Sequence, residues 1–181
     1  MITRVALTLV LASSTAVAAS ARGTLASQTQ SATVKSPMPS SSEHFLKDTL
    51  DDGFWEVEMA KLAQTNSNDD RVQRLGECLQ ADHEKADYEM RSILLAHNLE
   101  ARDKISSARM RVIDARREVV GHQFDVAWLG EMQRTHEAAI KEFEKHQDDP
   151  DPDVRAFVVK TLPVLKEHLD KVTALRNEIE K

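Results

Sequence analysis

The chain has one cysteine, one tyrosine and two tryptophans in 181 residues, with only five glycines and five prolines. Cys78 has no second cysteine to pair with, so an intrachain disulfide is excluded. The lone thiol reads as a small, half-buried residue. Scarce glycine and aromatics beside abundant Ala, Leu, Glu and Lys exclude an ordinary β architecture and describe an all-helical protein. Positive charge is also short, since 24 Lys and Arg face 30 Asp and Glu for a formal charge of −6. An acidic chain lacks the basic footprint of a nucleic-acid binder, so no nucleic-acid partner is expected. No apolar run is long enough for a comfortable membrane span.

What is present begins with a leader. Residues 1–21 read MITRVALTLVLASSTAVAASA. Arg4 supplies a positive start, Val5 to Leu11 a short apolar stretch, and Ala16-Val17-Ala18 a small-x-small cleavage site, with Ala19-Ser20-Ala21 as a second one. They read as a signal peptide, whose removal takes only Arg4 and leaves a mature charge of −7. No transmembrane segment is expected after cleavage. Residues 22–42 are rich in Ser, Thr, Gln and Pro and read as a disordered linker. The folded domain is expected over 43–181. The compartment implied is periplasmic or secreted.

Four long amphipathic patterns follow. The first runs from near Ser42 to Thr65, with Leu46, Leu50, Gly53, Val57 and Ala60 along one row. Glu56 shares a face with Gly53, Ala60 and Ala63, so a carboxylate leans inward among small residues. Asn66 to Asp69 supply a turn and a helix N-cap. The second pattern, Val72 to His97, holds heptad rows of Val72, Leu79, Ala86, Ile93 and of Gly76, His83, Met90. His83 thus stands where a bundle helix usually has leucine. The third runs from Gly121 to His146 and aligns Trp128, Met132, His136, Ala139 and Phe143. Asp151 before Pro152 fits an N-cap with proline at N1. The fourth pattern aligns Val154, Thr161, His168 and Leu175 beside Val158, Leu165, Val172 and Ile179. Pro163 interrupts it.

Between the second and third patterns lies a shorter amphipathic run, with Ile105, Ala108, Val112, Ala115 and Val119 expected to face inward. It carries six basic residues and two acidic ones between Arg102 and Arg117. That local excess offers a docking face for an anionic envelope partner, or a solvated face on a connecting helix.

Three histidines on apolar faces of three different helices suggest more than a satisfied core. Bundle cores host metals on inward Glu and His residues. Depth can be counted from the turns at ~1.5 Å per residue, which puts Glu56 and His83 roughly 17 and 23 Å from the first turn, and His136 and His168 roughly 20 and 28 Å from the second. The backward lean of helical side chains narrows both gaps. Glu56, His83, His136 and His168 are therefore the candidate metal ligands. Three neutral imidazoles and a carboxylate suit a single zinc, copper, nickel or iron ion. The other reading of these residues is a polar core layer that holds no metal. His44, His97, His122 and His146 lie near helix ends and read as surface or boundary residues.

Segments GFWEVEMAKLA (53–63), LQADHEKA (79–86), GHQFDVAWL (121–129) and KTLPVLKEHL (160–169) occur in an order that resembles domain-of-unknown-function family 4142. Its members are bacterial exported ferritin-like proteins, often labelled putative outer-membrane proteins. The resemblance spans about 43–176. It implies a ferritin-like four-helix bundle with a long helical connection between helices 2 and 3, and outer-membrane association. It implies no activity. Di-iron ferritin-like sites carry Glu-x-x-His on two helices, but here Gln80 precedes His83 and Leu165 precedes His168. Leucine cannot bridge two metals. The expected function is an exported bundle with a stress or envelope role and one metal ion held by core histidines. The alternatives are a metal-dependent enzyme scavenging peroxide or superoxide, and an envelope scaffold that uses 102–117.

Overall fold

The computed structural model describes residues 37–181, all of whose regular elements are helices. The expected signal peptide and most of the expected linker lie outside the described residues. The helices are α1 (Ser40–Asn66), α2 (Asp70–Ala96), α3 (Ser107–Arg117), α4 (Gly121–Lys145) and α5 (Pro152–Ile179). Asp69 caps α2 by accepting from the Arg71 amide, and Asp151 caps α5 by accepting from the amides of Asp153 and Val154. Pro152 opens α5, where a missing N–H costs nothing.

α1 pairs with α2 and α4 with α5, while α2 lies beside α5 and α1 beside α4. Contacts at the ends give the directions. Ser42 near the start of α1 meets Asp149 in the α4–α5 turn, and His97 after α2 meets Asp151 and Asp153. At the other end Asn66 donates to the carbonyls of Arg117 and Val119, and Arg71 pairs with Glu178. The bundle is therefore up–down–down–up. Residues 97–120 carry the chain from one end of α2 back to the opposite end for α4.

α1 starts earlier than expected, so Ser40 to Ser42 belong to the helix and not to a linker. Its start is anchored. The buried Ser42 hydroxyl donates to Asp149 Oδ1 at 2.6 Å, and the other oxygen of Asp149 meets His146 Nδ1 at 2.6 Å.

The connection departs further from expectation. Only 107–117 is helical, and Ala108, Val112 and Ala115 face solvent. Ile113 is buried instead. Ile105, Met110 and Val119 pack beside it on the core, and arginines flank them. Arg109 lies 5.2 Å over the Trp55 ring and pairs with Asp52, Arg102 with Asp51, Arg116 with Glu131, and Arg117 with Glu58. Carboxylates of the bundle have taken up most of the local positive charge. Lys104 and Arg111 are left to solvent among the described residues.

Two core clusters fill the bundle. One is built on Trp55, Met59, Phe124, Trp128 and Met132, the other on Phe45, Leu50, Met90, Phe143 and Phe157. Gly76 lets α2 approach α1 closely, since a Cβ there would stand 2.8 Å from the Ala60 carbonyl oxygen and from Ala63 Cβ. Gly76→Ala forces the helices apart despite its better helix propensity. We expect a loss of about 1–3 kcal/mol, the usual cost of overpacking, measured by chemical denaturation. Pro163 sits inside α5 on its exposed face. The Val159 carbonyl it frees is on the same solvent side, where Val159 is 59% exposed. Water can satisfy that group, so Pro163→Ala is expected to be neutral or to raise the melting temperature.

Candidate metal centre

Each of the four long helices supplies one residue to a single layer. Glu56 comes from α1, His83 from α2, His136 from α4 and His168 from α5. His136 and His168 are 0% and 1% exposed, His83 and Glu56 6% and 7%. The three imidazoles form a near-equilateral triangle, with ring centroids 5.6, 5.5 and 5.5 Å apart. Each ring offers a nitrogen to a group whose members lie within 4.8 Å of one another.

The hydrogen bonds fix the tautomers. His83 Nδ1 stands 3.0 Å from Glu56 Oε2, His136 Nδ1 2.9 Å from the Met132 carbonyl, and His168 Nε2 3.0 Å from Asp82 Oδ2. All three partners are acceptors, so each facing nitrogen must carry the proton and donate it. The remaining nitrogens, Nε2 of His83, Nε2 of His136 and Nδ1 of His168, are buried with no partner. In neutral rings these are bare lone pairs. Three such lone pairs in one buried layer go unsatisfied. A cation between them removes that penalty.

Burial also holds His83 and His168 in their neutral, ligating form. It pushes the His83 pKa down, against the pull of Glu56. It pushes His168 down to about 4, against the hydrogen bond that His168 donates to Asp82. Both therefore stay neutral at pH values where an exposed histidine is protonated.

Glu56 takes a different place from the one expected. It is not within the group of mutually close ligand atoms. One oxygen holds His83, and the other lies 3.6 Å from His136 Nδ1. Its geometry is that of an orienting carboxylate behind the rings, a partner that sets tautomer and basicity. Asp82, which no apolar row in the sequence marks, does the same for His168. It adjoins His83 in sequence but points off the apolar row, across to α5. Removing such a partner typically weakens metal affinity by about 10–100-fold. We expect that loss in Asp82→Asn, read by competition with a colorimetric chelator.

Two further groups of ligand-type atoms occur among the described residues, Cys78 with Asp82 and His168, and His97 with Asp151 and Asp153. His97 is half-buried as a residue, at a boundary, with its side chain 4% exposed. His44 and His122 do face solvent.

A four-long-helix bundle with a buried three-histidine layer is thus the class of protein that fold and site define. Residues 24–175 match the family described as domain of unknown function (DUF4142), and the chain belongs to that family. No curated protein matches the chain. A solved structure described as a DUF305 fragment from Deinococcus radiodurans is similar in fold. The TM-score is 0.70 at 14% identity, over 79% of this chain and 99% of that one.

Proposed function

We propose that the protein holds one transition-metal ion between His83, His136 and His168, in an exported ferritin-like bundle that serves the cell envelope. The observation that carries this reading is the set of three buried, unpartnered imidazole nitrogens, one per ring. An all-imidazole set favours zinc, copper, nickel or ferrous iron over calcium or magnesium. Glu56, the Met132 carbonyl and Asp82 would orient the rings. Bound metal would supply a Lewis-acid or redox centre. The chain's own part is to exclude water from the layer and keep the imidazoles neutral.

The ferritin-like character rests on connectivity, since one long crossover in a four-helix bundle is the ferritin-like arrangement. Export rests on residues 1–21, and association with the outer membrane on the family resemblance. No helix among the described residues is long and apolar enough to cross a membrane. A di-iron scavenging enzyme is disfavoured by Gln80, whose amide is engaged with Gln64 and Glu84, and by the apolar Leu165. The scaffold reading is disfavoured by the pairing of the connecting arginines with bundle carboxylates.

The test is elemental analysis of protein purified from the periplasm of its own host. About one zinc, copper, nickel or iron per chain is expected. Metal-free protein should then bind one of these ions by calorimetric titration and ignore calcium. A protein that carries no metal and binds none of the four ions would remove the proposal.

A further inference from the structure

A cavity of about 490 Å³ lies among α1, α2, α4 and α5 beside the histidine layer. Glu56 and His83 line it, together with an apolar wall that includes Met90, Phe143, Phe157 and Leu165. The size and lining are those of a small-molecule site, mostly apolar with a few fixed polar groups. Asp87 is the unusual member. It stands one helical turn beyond His83 on α2 and is 5% exposed. Its Oδ1 is buried with no hydrogen-bond partner. Gly53 on α1 makes room for it, because a Cβ at residue 53 would collide with that oxygen. The metal reading makes no use of this carboxylate.

We propose that the cavity binds a small organic ammonium ion, with Asp87 as its counter-ion and the aromatic and aliphatic wall around its hydrocarbon.

Charge selects the class of ligand. Asp48, Asp52, Glu56, Asp87 and Glu142 all line the cavity, and Arg109 is the only guanidinium or ammonium there. That guanidinium is already paired with Asp52. A carboxylate ligand would meet uncompensated negative charge, whereas an ammonium group would meet an unpaired carboxylate. Burial, then Glu56 and Glu84, push the Asp87 pKa up to about 7 against the pull of Arg91, which makes no ion pair with Asp87. An ionised Asp87 is thus a charge short of a partner, and a bound cation is such a partner. The site does not depend on a metal at the histidines.

The experiment is calorimetric titration of the full chain at pH 8 with three probes of one shape: 2-phenylethylamine, 2-phenylethanol and 3-phenylpropanoate. It is run on metal-free and zinc-treated protein, so a failure of the metal reading is seen separately. The amine should bind at least tenfold tighter than the alcohol, and the carboxylate should not bind. Asp87→Asn should abolish the preference for the amine yet keep binding of the alcohol, which shows that the cavity is intact. Asp87 also borders the groove under residues 103–110. Ala139 lines the cavity and not that groove, so Ala139→Phe should remove both the amine and the alcohol if the cavity is the site. Circular dichroism should show all variants folded. Equal affinity for amine and alcohol in the wild type would overturn the proposal. So would an amine preference that survives Asp87→Asn, amine binding that survives Ala139→Phe, or no binding of any probe.

Discussion

Replacing His136 by alanine is expected to lower the affinity for zinc or copper by more than 100-fold. His136 is fully buried, and its Nε2 is one of three unpartnered nitrogens in the layer. Loss of a ligand should exceed the roughly 10–100-fold effect of losing an orienting partner. Thermal unfolding gives a second readout. An ion present at 100 times its dissociation constant stabilises the native state by about 2.7 kcal/mol. The wild type should therefore melt higher with metal, while the variant should melt alike with and without it. His122→Ala, on an exposed ring, is the matched control and should keep the metal-dependent shift. His97→Ala is a poor control, because that ring is paired with Asp151 and Asp153. If His136→Ala retained the shift, the layer would be a hydrogen-bonded core and not a metal centre.

Heptad rows carried much of this structure. His83, His136 and His168 occupy inward positions because helical spacing fixes which face a residue takes, and counting from a turn fixes its depth. Those two quantities bring the rings into one layer. They do not say which ring nitrogen faces inward, and the role of Glu56 turned on that detail. Asp82 is not legible in the sequence, because a residue beside a buried one reads as solvated. Its partner His168 is 86 residues away, and only the packing of α2 on α5 reveals the pair. Asp87 is hidden in the sequence for a related reason. It fills space left by Gly53 across a helix pair, and a missing Cβ leaves no mark in the sequence of α2. α3 shows the limit of apolar periodicity. Its buried side chain is Ile113, flanked by Arg109, which lies over Trp55, and by Arg116, which pairs with Glu131, so of the expected apolar row only Ile105 and Val119 pack on the core while Ala108, Val112 and Ala115 face solvent.

Asp87→Asn is expected to stabilise the metal-free protein at pH 8 by up to about 4 kcal/mol. Asp87 titrates near 7 in the folded chain against an ordinary 3.8, raised first by burial, then by Glu56 of α1 and Glu84 of α2, with Arg91 opposing. Between those two pH values the folded state binds the proton and the unfolded state has released it. Stability therefore falls as pH rises through this window and levels off above about 7. At about 1.36 kcal/mol per pH unit the interval amounts to about 4 kcal/mol. Asparagine never ionises, so the variant escapes that loss. Its advantage should be near its maximum at pH 8 and shrink to under about 2 kcal/mol at pH 5, by the same factor. His168 has the opposite slope. Its pKa is lowered to about 4, so acidification from 6.5 toward 4 destabilises the fold through that ring. Because both proteins share His168, the difference between their stability curves isolates Asp87. Chemical denaturation of both at pH 5 and pH 8 measures it, and a difference that does not change with pH would show that the carboxyl is not strained. A chain that keeps a carboxylate at such a cost, where asparagine would fit, keeps it for the charge. Stability is given up at a site whose use requires an anion.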